Sequence, residues 1–383
     1  LVFNPAPHAR GGVPAGGAAP FDGQGDKAVP TPRDGGGYVL DNGLLRIEID
    51  GRGLVVSAYD RIAGREAIAP GQAANLLQLH PDFPNQWDAW DVDAFYRNAG
   101  CDLTDVAGLS VAGGAVRVER AFGASRVVQL LSVPISAKRL DIDTEVDWHE
   151  TEKFLKLAFP LDVKADRYAS ETQFGHVYRP THQNTSWEWA KFEACNHRFV
   201  HVDEPGWGAA VVNDATYGHD VTRTVRGDGG TTTTVRASLL RAPRYPDPET
   251  DQGTHRFRHA LVPGATVGDA VREGHRANLP ERRVTGGAAE VAPLVTVDND
   301  AVVVSAVKLA DDRGGDLVVR VYEAHGGRAR ATLRADGFDT ARAVLTDLLE
   351  RPDTDAEPPA RADGGLVLAL RPFQMVTLRL PRV

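Results

Sequence analysis

Most of the chain alternates apolar and polar residues in short runs broken by turn residues. LDNGLLRIEID, residues 40–50, sets the type. After an Asn-Gly turn, Leu45, Ile47 and Ile49 share one face while Arg46, Glu48 and Asp50 share the other, the period-two pattern of a half-buried strand. Gly51-Arg52-Gly53 turns the chain, LVVSAYD (54–60) returns, and the pair predicts a hairpin. Similar runs follow over 115–119, 125–133, 140–148, 154–163, 169–177, 208–212 and 238–240, with turns such as Gly113-Gly114 between some of them. Helical periodicity is scarce. VGDAVREGHRAN is the best candidate, and Gly268 and Gly274 weaken it.

The pattern predicts an all-β chain, a large antiparallel sandwich followed by a small C-terminal β-sandwich. Residues 1–37 read as a leading strand, Val2-Phe3-Asn4-Pro5, and a Gly/Pro/Ala-rich linker. Residues 38–280 read as the large domain. After a Gly- and Ala-rich boundary, residues 290–383 read as the small one, with strands over 317–322, 329–333, 343–347, 366–370 and 376–380.

Composition narrows the function classes. Apolar content of 42% suffices for a substantial core. The net charge of −9, from 43 basic and 52 acidic residues, argues against nucleic-acid binding, which would show a basic stripe. No apolar run reaches the roughly 18 residues of a membrane helix. The two cysteines, Cys101 and Cys195, match no disulfide framework or metal spacing. The start, LVFNPAPHARGG, has neither a signal peptide's features nor an initiator Met. The expectation is a piece of something longer, in the cytoplasm.

One stretch departs from ordinary strand chemistry. PDFPNQWDAWDVDAFY, residues 81–96, crowds Trp87 and Trp90 among Asp82, Asp88, Asp91 and Asp93. Flat aromatic faces beside carboxylates are what a sugar needs, for its C–H face and its hydroxyls. Half-buried strand with Asp-rich turns is the plainer reading. Asp88, Asp91 and Asp93 could pair for glycoside hydrolysis, though solvated turns or plain hydroxyl acceptors account for them as well. His80-Pro81-Asp82 could offer two metal ligands, and His176, His182, His197 and His201 match no common zinc pattern. Asn213-Asp214 and Tyr217-Gly218-His219-Asp220 read as a polar loop after an apolar strand, a common place for ligand contacts.

Longer strings carry a resemblance. LDNGLLRIEID with LVVSAYDRIAGRE, ANLLQLHPDFPNQWDAWDVD, DWHETEKFLKLAFPLDV, QFGHVYRPTHQNTSWEWAKFEACNHRFV, EPGWGAAVVNDATYGHD, SLLRAPRYPDPETDQGTHRF and the closing LRPFQMVTLRLP resemble, in order, the C-terminal β half of glycoside hydrolase family 38, the α-mannosidases. The resemblance implies a galactose-mutarotase-like supersandwich. It also implies zinc-assisted, retaining cleavage of α-mannosides by an N-terminal catalytic barrel that this chain does not contain; His80-Pro81-Asp82 does not replace that barrel's His-x-Asp. The catalytic residues and the zinc are therefore expected in that N-terminal domain, none of them here, and this chain alone is expected to be inactive. The implied partners are an α-mannoside oligosaccharide and the chain's own N-terminal domain, with a homo-oligomer left open. On this reading Trp87, Asp88, Trp90 and Asp91 wall the substrate cleft, with Asp214, Tyr217 and His219 as the second choice. A basic residue is expected where Thr216 stands, which weakens a charged contact there.

Two other readings compete. One is a free-standing lectin-like sandwich that binds sugar through Trp90. The other is a sugar epimerase with His176 and Glu188 or Glu193 as acid and base.

Overall fold

The alternation over residues 40–60 folds as read. Leu45–Ile49 pairs antiparallel with Val55–Asp60, and Leu45, Ile47 and Ile49 are fully buried while Arg46 and Glu48 face outward. The structure is a computed structural model that describes residues 1–20, 27–287, 289–357, 359–362 and 364–383. The fold is all-β, and its strands form antiparallel sheets. The main helix, Val267–Asn278, is the one the sequence suggests. Among the described residues no helix is long and apolar enough to cross a membrane.

The chain divides into two compact units. One holds residues 27–171 and 178–266, and the other holds 1–20, 172–177 and 267–383. This differs from the division expected at residues 37 and 280–290.

In the larger unit, sheets of five, six and nine strands turn their inner faces to one core. Leu45 and Ile47 come from the first, Leu155, Leu157 and Phe159 from the second, and Val118, Val127 and Val146 from the third. The six-stranded sheet matters most here. Its order is Ala194–Cys195, Gly218–Val225, Thr231–Leu240, Lys153–Leu161, Leu76–Pro81 and Cys101–Asp102. Along Lys153–Leu161 the odd positions from Leu155 to Leu161 enter the core, so Phe154, Lys156, Ala158 and Pro160 lie on the opposite face. Those four side chains are buried as well.

The smaller unit packs two four-stranded sheets around Leu317, Val319, Leu333, Leu368 and Leu378, a small β-sandwich as expected. The stretch read as a linker carries short strands. Val2–Phe3 pairs with Ala18–Ala19 and with Arg282–Arg283. Within the other unit, Thr31–Pro32 pairs with Tyr38 and Val39. The run read as one strand over 169–177 is broken at Gln173-Phe174, where Phe174 takes φ 56°. Phe174 sets its ring 5.5 Å from Tyr322, and His176 sets its ring 4.9 Å from Phe373. These contacts tie that turn to the C-terminal unit.

Candidate functional site

The tryptophan-rich stretch is a loop stapled to its surroundings by its own carboxylates. Asp82 accepts from Arg241 Nε at 2.7 Å, and Arg241 also donates to the Asp88 carbonyl at 3.0 Å. The Asp88 carboxylate accepts the backbone N–H groups of Arg244 (2.7 Å) and Tyr245 (3.1 Å), and Asp93 accepts that of Asn85 (2.7 Å). Burial, aided by the charges of Asp88 and Asp93, pushes the Asp82 carboxyl above its ordinary range despite Arg241. His80 Nδ1 lies 3.0 Å from the Ala99 carbonyl, and Asp82 is engaged by Arg241.

The loop's rings point outward. Trp87 is 68% exposed and Trp90 is 67% exposed, with Phe83 and Phe95 equally open. Trp87 holds φ 58°, a left-handed backbone that residues with a Cβ adopt at a cost of about 1–2 kcal/mol, while its carbonyl accepts the N–H groups of Trp90 (2.8 Å) and Asp91 (2.9 Å). Asp91 is exposed.

Behind the loop lies a buried charge cluster. Lys156 is wholly buried, and its Nζ donates to Asp220 Oδ2 at 2.5 Å, to Tyr96 Oη at 3.0 Å and to Glu193. Arg236 donates to Asp220 at 2.8 Å, Arg97 lies 3.4 Å from it, and Ser238 donates to Glu193 at 3.0 Å. Burial alone would lower the Lys156 ammonium, but Asp220 and Glu193 outweigh it and hold the charge firmly. Burial would raise Asp220, yet Lys156, Arg236 and Arg97 bring it down to about 2. The short helix Ala94–Asn98 is thereby clamped onto the sheet.

Loop and sheet enclose a groove of about 570 Å³. Ala89 and Val92 line it from the loop, Gly218 from the stretch chosen second, and Phe154, Glu193 and Ser238 from the sheet and cluster. Both stretches singled out in the sequence therefore border one groove, but through Ala89, Val92 and Gly218 and through none of the seven residues named. Asp88 spends a carboxylate oxygen on the backbone at 244–245. Asp214 exchanges hydrogen bonds with the Arg258 backbone. Tyr217 is 57% exposed.

His219 is the clear departure. Gly218–Val225 is a strand rather than a polar loop, and His219 faces the core with its ring edge-on to Tyr168 at 5.6 Å. Burial lowers its imidazole to about 3. A side chain so placed does not meet a ligand in the groove. Thr216, standing where a basic residue is expected, is buried with its hydroxyl 3.1 Å from His259 Nε2. The acid–base pair of the epimerase reading finds other partners: His176 packs on Phe373, and Glu193 serves Lys156 and Tyr96.

Sequence reasoning missed Lys156, Arg236 and Ser238. The available signal was Lys156 itself, a lysine inside the otherwise apolar run FLKLAFPL. Among the described residues no three His, Cys, Asp or Glu side chains are arranged to hold a metal.

Comparison with known proteins is consistent with this geometry. Residues 40–249 match the glycosyl hydrolases family 38 C-terminal domain, and residues 301–378 match the family's C-terminal beta sandwich domain. The chain is 37% identical over 362 residues to alpha-mannosidase 2C1 of Homo sapiens, covering 90% of this chain and 34% of that protein. It is 29% identical over 384 residues to an alpha-mannosidase of Saccharomyces cerevisiae, covering 89% and 34%. The chain thus spans about a third of the length of these relatives. The crystal structure of an alpha-mannosidase from Enterococcus faecalis shares the fold, with TM-score 0.70 at 16% identity over 97% of this chain and 44% of that one.

Proposed function

Since the chain belongs to glycoside hydrolase family 38 as its C-terminal β domains, we propose that it serves an α-mannosidase by walling the substrate cleft. The nucleophile, the acid and a zinc ion lie in this reading on an N-terminal catalytic domain, the reaction retains anomeric configuration, and this chain by itself does not hydrolyse mannosides. The supporting observation is the loop at Trp87 and Trp90. Two indoles held two-thirds exposed on a strained, carboxylate-stapled backbone are arranged for a surface that must meet something.

The chain's part is binding and orientation. Trp90 offers a flat face to the C–H side of a sugar ring, and Asp91 offers an exposed carboxylate to its hydroxyls. Glu193 and Ser238 line the adjoining groove in fixed positions because Lys156 and Tyr96 hold Glu193. Preorganised polar groups of this kind orient a substrate at low entropic cost.

The test is steady-state kinetics of an enzyme joining this chain to its catalytic domain, with a chromogenic α-mannoside. Trp90→Ala should raise KM several-fold with a smaller effect on kcat, and the isolated chain should show no turnover. Unchanged KM in the variant would sink the cleft role, and turnover by the isolated chain would sink the division of labour. A lectin-like role is the second reading, favoured by the same exposed indoles. It requires the isolated chain to bind mannose oligosaccharides through Trp90.

A further inference from the structure

On the outer face of the six-stranded sheet, the one that carries Lys156, Ala158 and Pro160, lies a second concavity of about 580 Å³. That volume falls inside the roughly 300–1,000 Å³ that ligand pockets span. Register builds its floor: Leu76 lies opposite Ala158, and Pro160 opposite Thr234. The floor is therefore small and apolar, and polar groups rim it. Arg236 Nε donates to Gln78 Oε1 at 3.1 Å, and Gln78 Nε2 donates to Asp102 Oδ1 at 2.8 Å, so the rim is held in place.

The unused hydrogen-bonding capacity of this trough is mixed. Arg236 keeps its Nη2 as a donor. Asp102 keeps one carboxylate oxygen and Gln72 its amide oxygen as acceptors. The Thr104 and Thr234 hydroxyls serve as both. Among the described residues none of these groups has a protein partner. Each cation of the lining is already matched, Arg236 by Asp220 and Arg52 by Asp50 at 2.8 Å, and Asp102 adds a carboxylate held only by the Gln78 amide, so nothing here calls for an anion. No aromatic ring lines the trough, which removes the platform a nucleobase would use.

Interleaved donors and acceptors over an apolar floor, without an unmatched cation, suit a neutral polyhydroxylated ligand. We infer that the trough is a second carbohydrate-binding site, taking a short neutral oligosaccharide independently of Trp90 and the groove beside its loop. Without a stacking ring the affinity is weak, in the millimolar range.

Saturation-transfer NMR of this chain with an α-linked mannotriose tests it, using two sets of variants. Thr234→Val with Asp102→Asn, both close to isosteric and on the outer face, should cut the transfer from this site by about three- to tenfold for each hydrogen bond lost. Trp90→Ala should leave that part of the signal intact. Absence of transfer, insensitivity to the trough variants, or displacement by inorganic phosphate would overturn the inference. Signal lost through Trp90→Ala alone would also overturn it while leaving the groove's role standing. Conversely, an unchanged KM for Trp90→Ala in the joined enzyme would remove the groove's role without touching the trough.

Discussion

Lys156 and Asp220 meet at 2.5 Å although their strands are not neighbours: the lysine reaches past Thr231–Leu240 to find its carboxylate. Removing the ammonium leaves Asp220 buried beside Arg236 and Arg97, and deprives Glu193 and Tyr96 of a shared donor. Lys156→Met should therefore destabilise the chain by about 3–5 kcal/mol, as breaking a buried ion pair does. Chemical denaturation followed by tryptophan fluorescence gives the value. A loss under about 1 kcal/mol would mean that the cluster relaxes or hydrates easily.

Trp87 is the opposite case, a large residue that contributes little to the fold. Its indole is mostly exposed and its backbone sits at φ 58°, where glycine is at ease. Trp87→Gly should leave thermal stability unchanged or slightly raised while removing one of the two rings offered to a sugar. A drop of several degrees in Tm would show that the indole is packed after all.

Asp88 should behave as a staple. Its carboxylate caps the N–H groups of Arg244 and Tyr245, so Asp88→Ala should cost about 1–2 kcal/mol and speed amide exchange at both positions. Asp91→Ala, on an exposed carboxylate, should move stability by about 0.5 kcal/mol or less. Equal effects would contradict the assignment of different tasks to two neighbouring aspartates.

Acid should weaken the larger unit well before its carboxylates titrate. Burial holds His219 neutral down to about 3 and His259 down to about 4, against 6.5 for a free imidazole. Above pH 6.5 neither state binds these protons and full stability is present. As pH falls from 6.5 towards 4, the unfolded chain takes up protons that the fold refuses, and stability declines by on the order of 1.4 kcal/mol per pH unit for each histidine. Asp220, lowered to about 2, adds its loss only below about pH 4. His219→Phe keeps the ring contact with Tyr168 and should lower the slope between pH 6 and 5 by roughly a third to a half, with His259 and His80, which burial also lowers, keeping the rest. An unaltered slope would place the acid sensitivity elsewhere.

How much of this was legible depended on whether a side chain's task was local. Leu45, Ile47 and Ile49 announced their strand because alternation is a local property. The Trp87–Asp91 loop announced itself by composition. Gly218–Val225 did not, because Gly218, His219 and Asp220 read as turn residues until Lys156, distant in sequence, supplies the charge that lets Asp220 be buried in a strand. Phe174 hid a turn for a similar reason: its left-handed backbone is held by a ring contact with Tyr322. Lys156 was obscured because Phe154, Ala158 and Pro160 share its face of a strand that is buried on both sides.

The smaller unit's scattered membership has a consequence for synthesis. Residues 1–20 and the turn at 172–177 leave the ribosome long before residues 267–383, with which they pack. At about 5–20 residues per second, these 117 residues take roughly 6–23 s to emerge. Through that interval Val2 and Phe3 lack the strand Arg282–Arg283, and Phe174 lacks Tyr322. The larger unit is contained in residues 27–266 and can close first, whereas the smaller is completed only once residues 267–383 have emerged. A stall or truncation after residue 266 would thus strand two apolar segments on an otherwise finished domain, a form that chaperones and proteases would recognise.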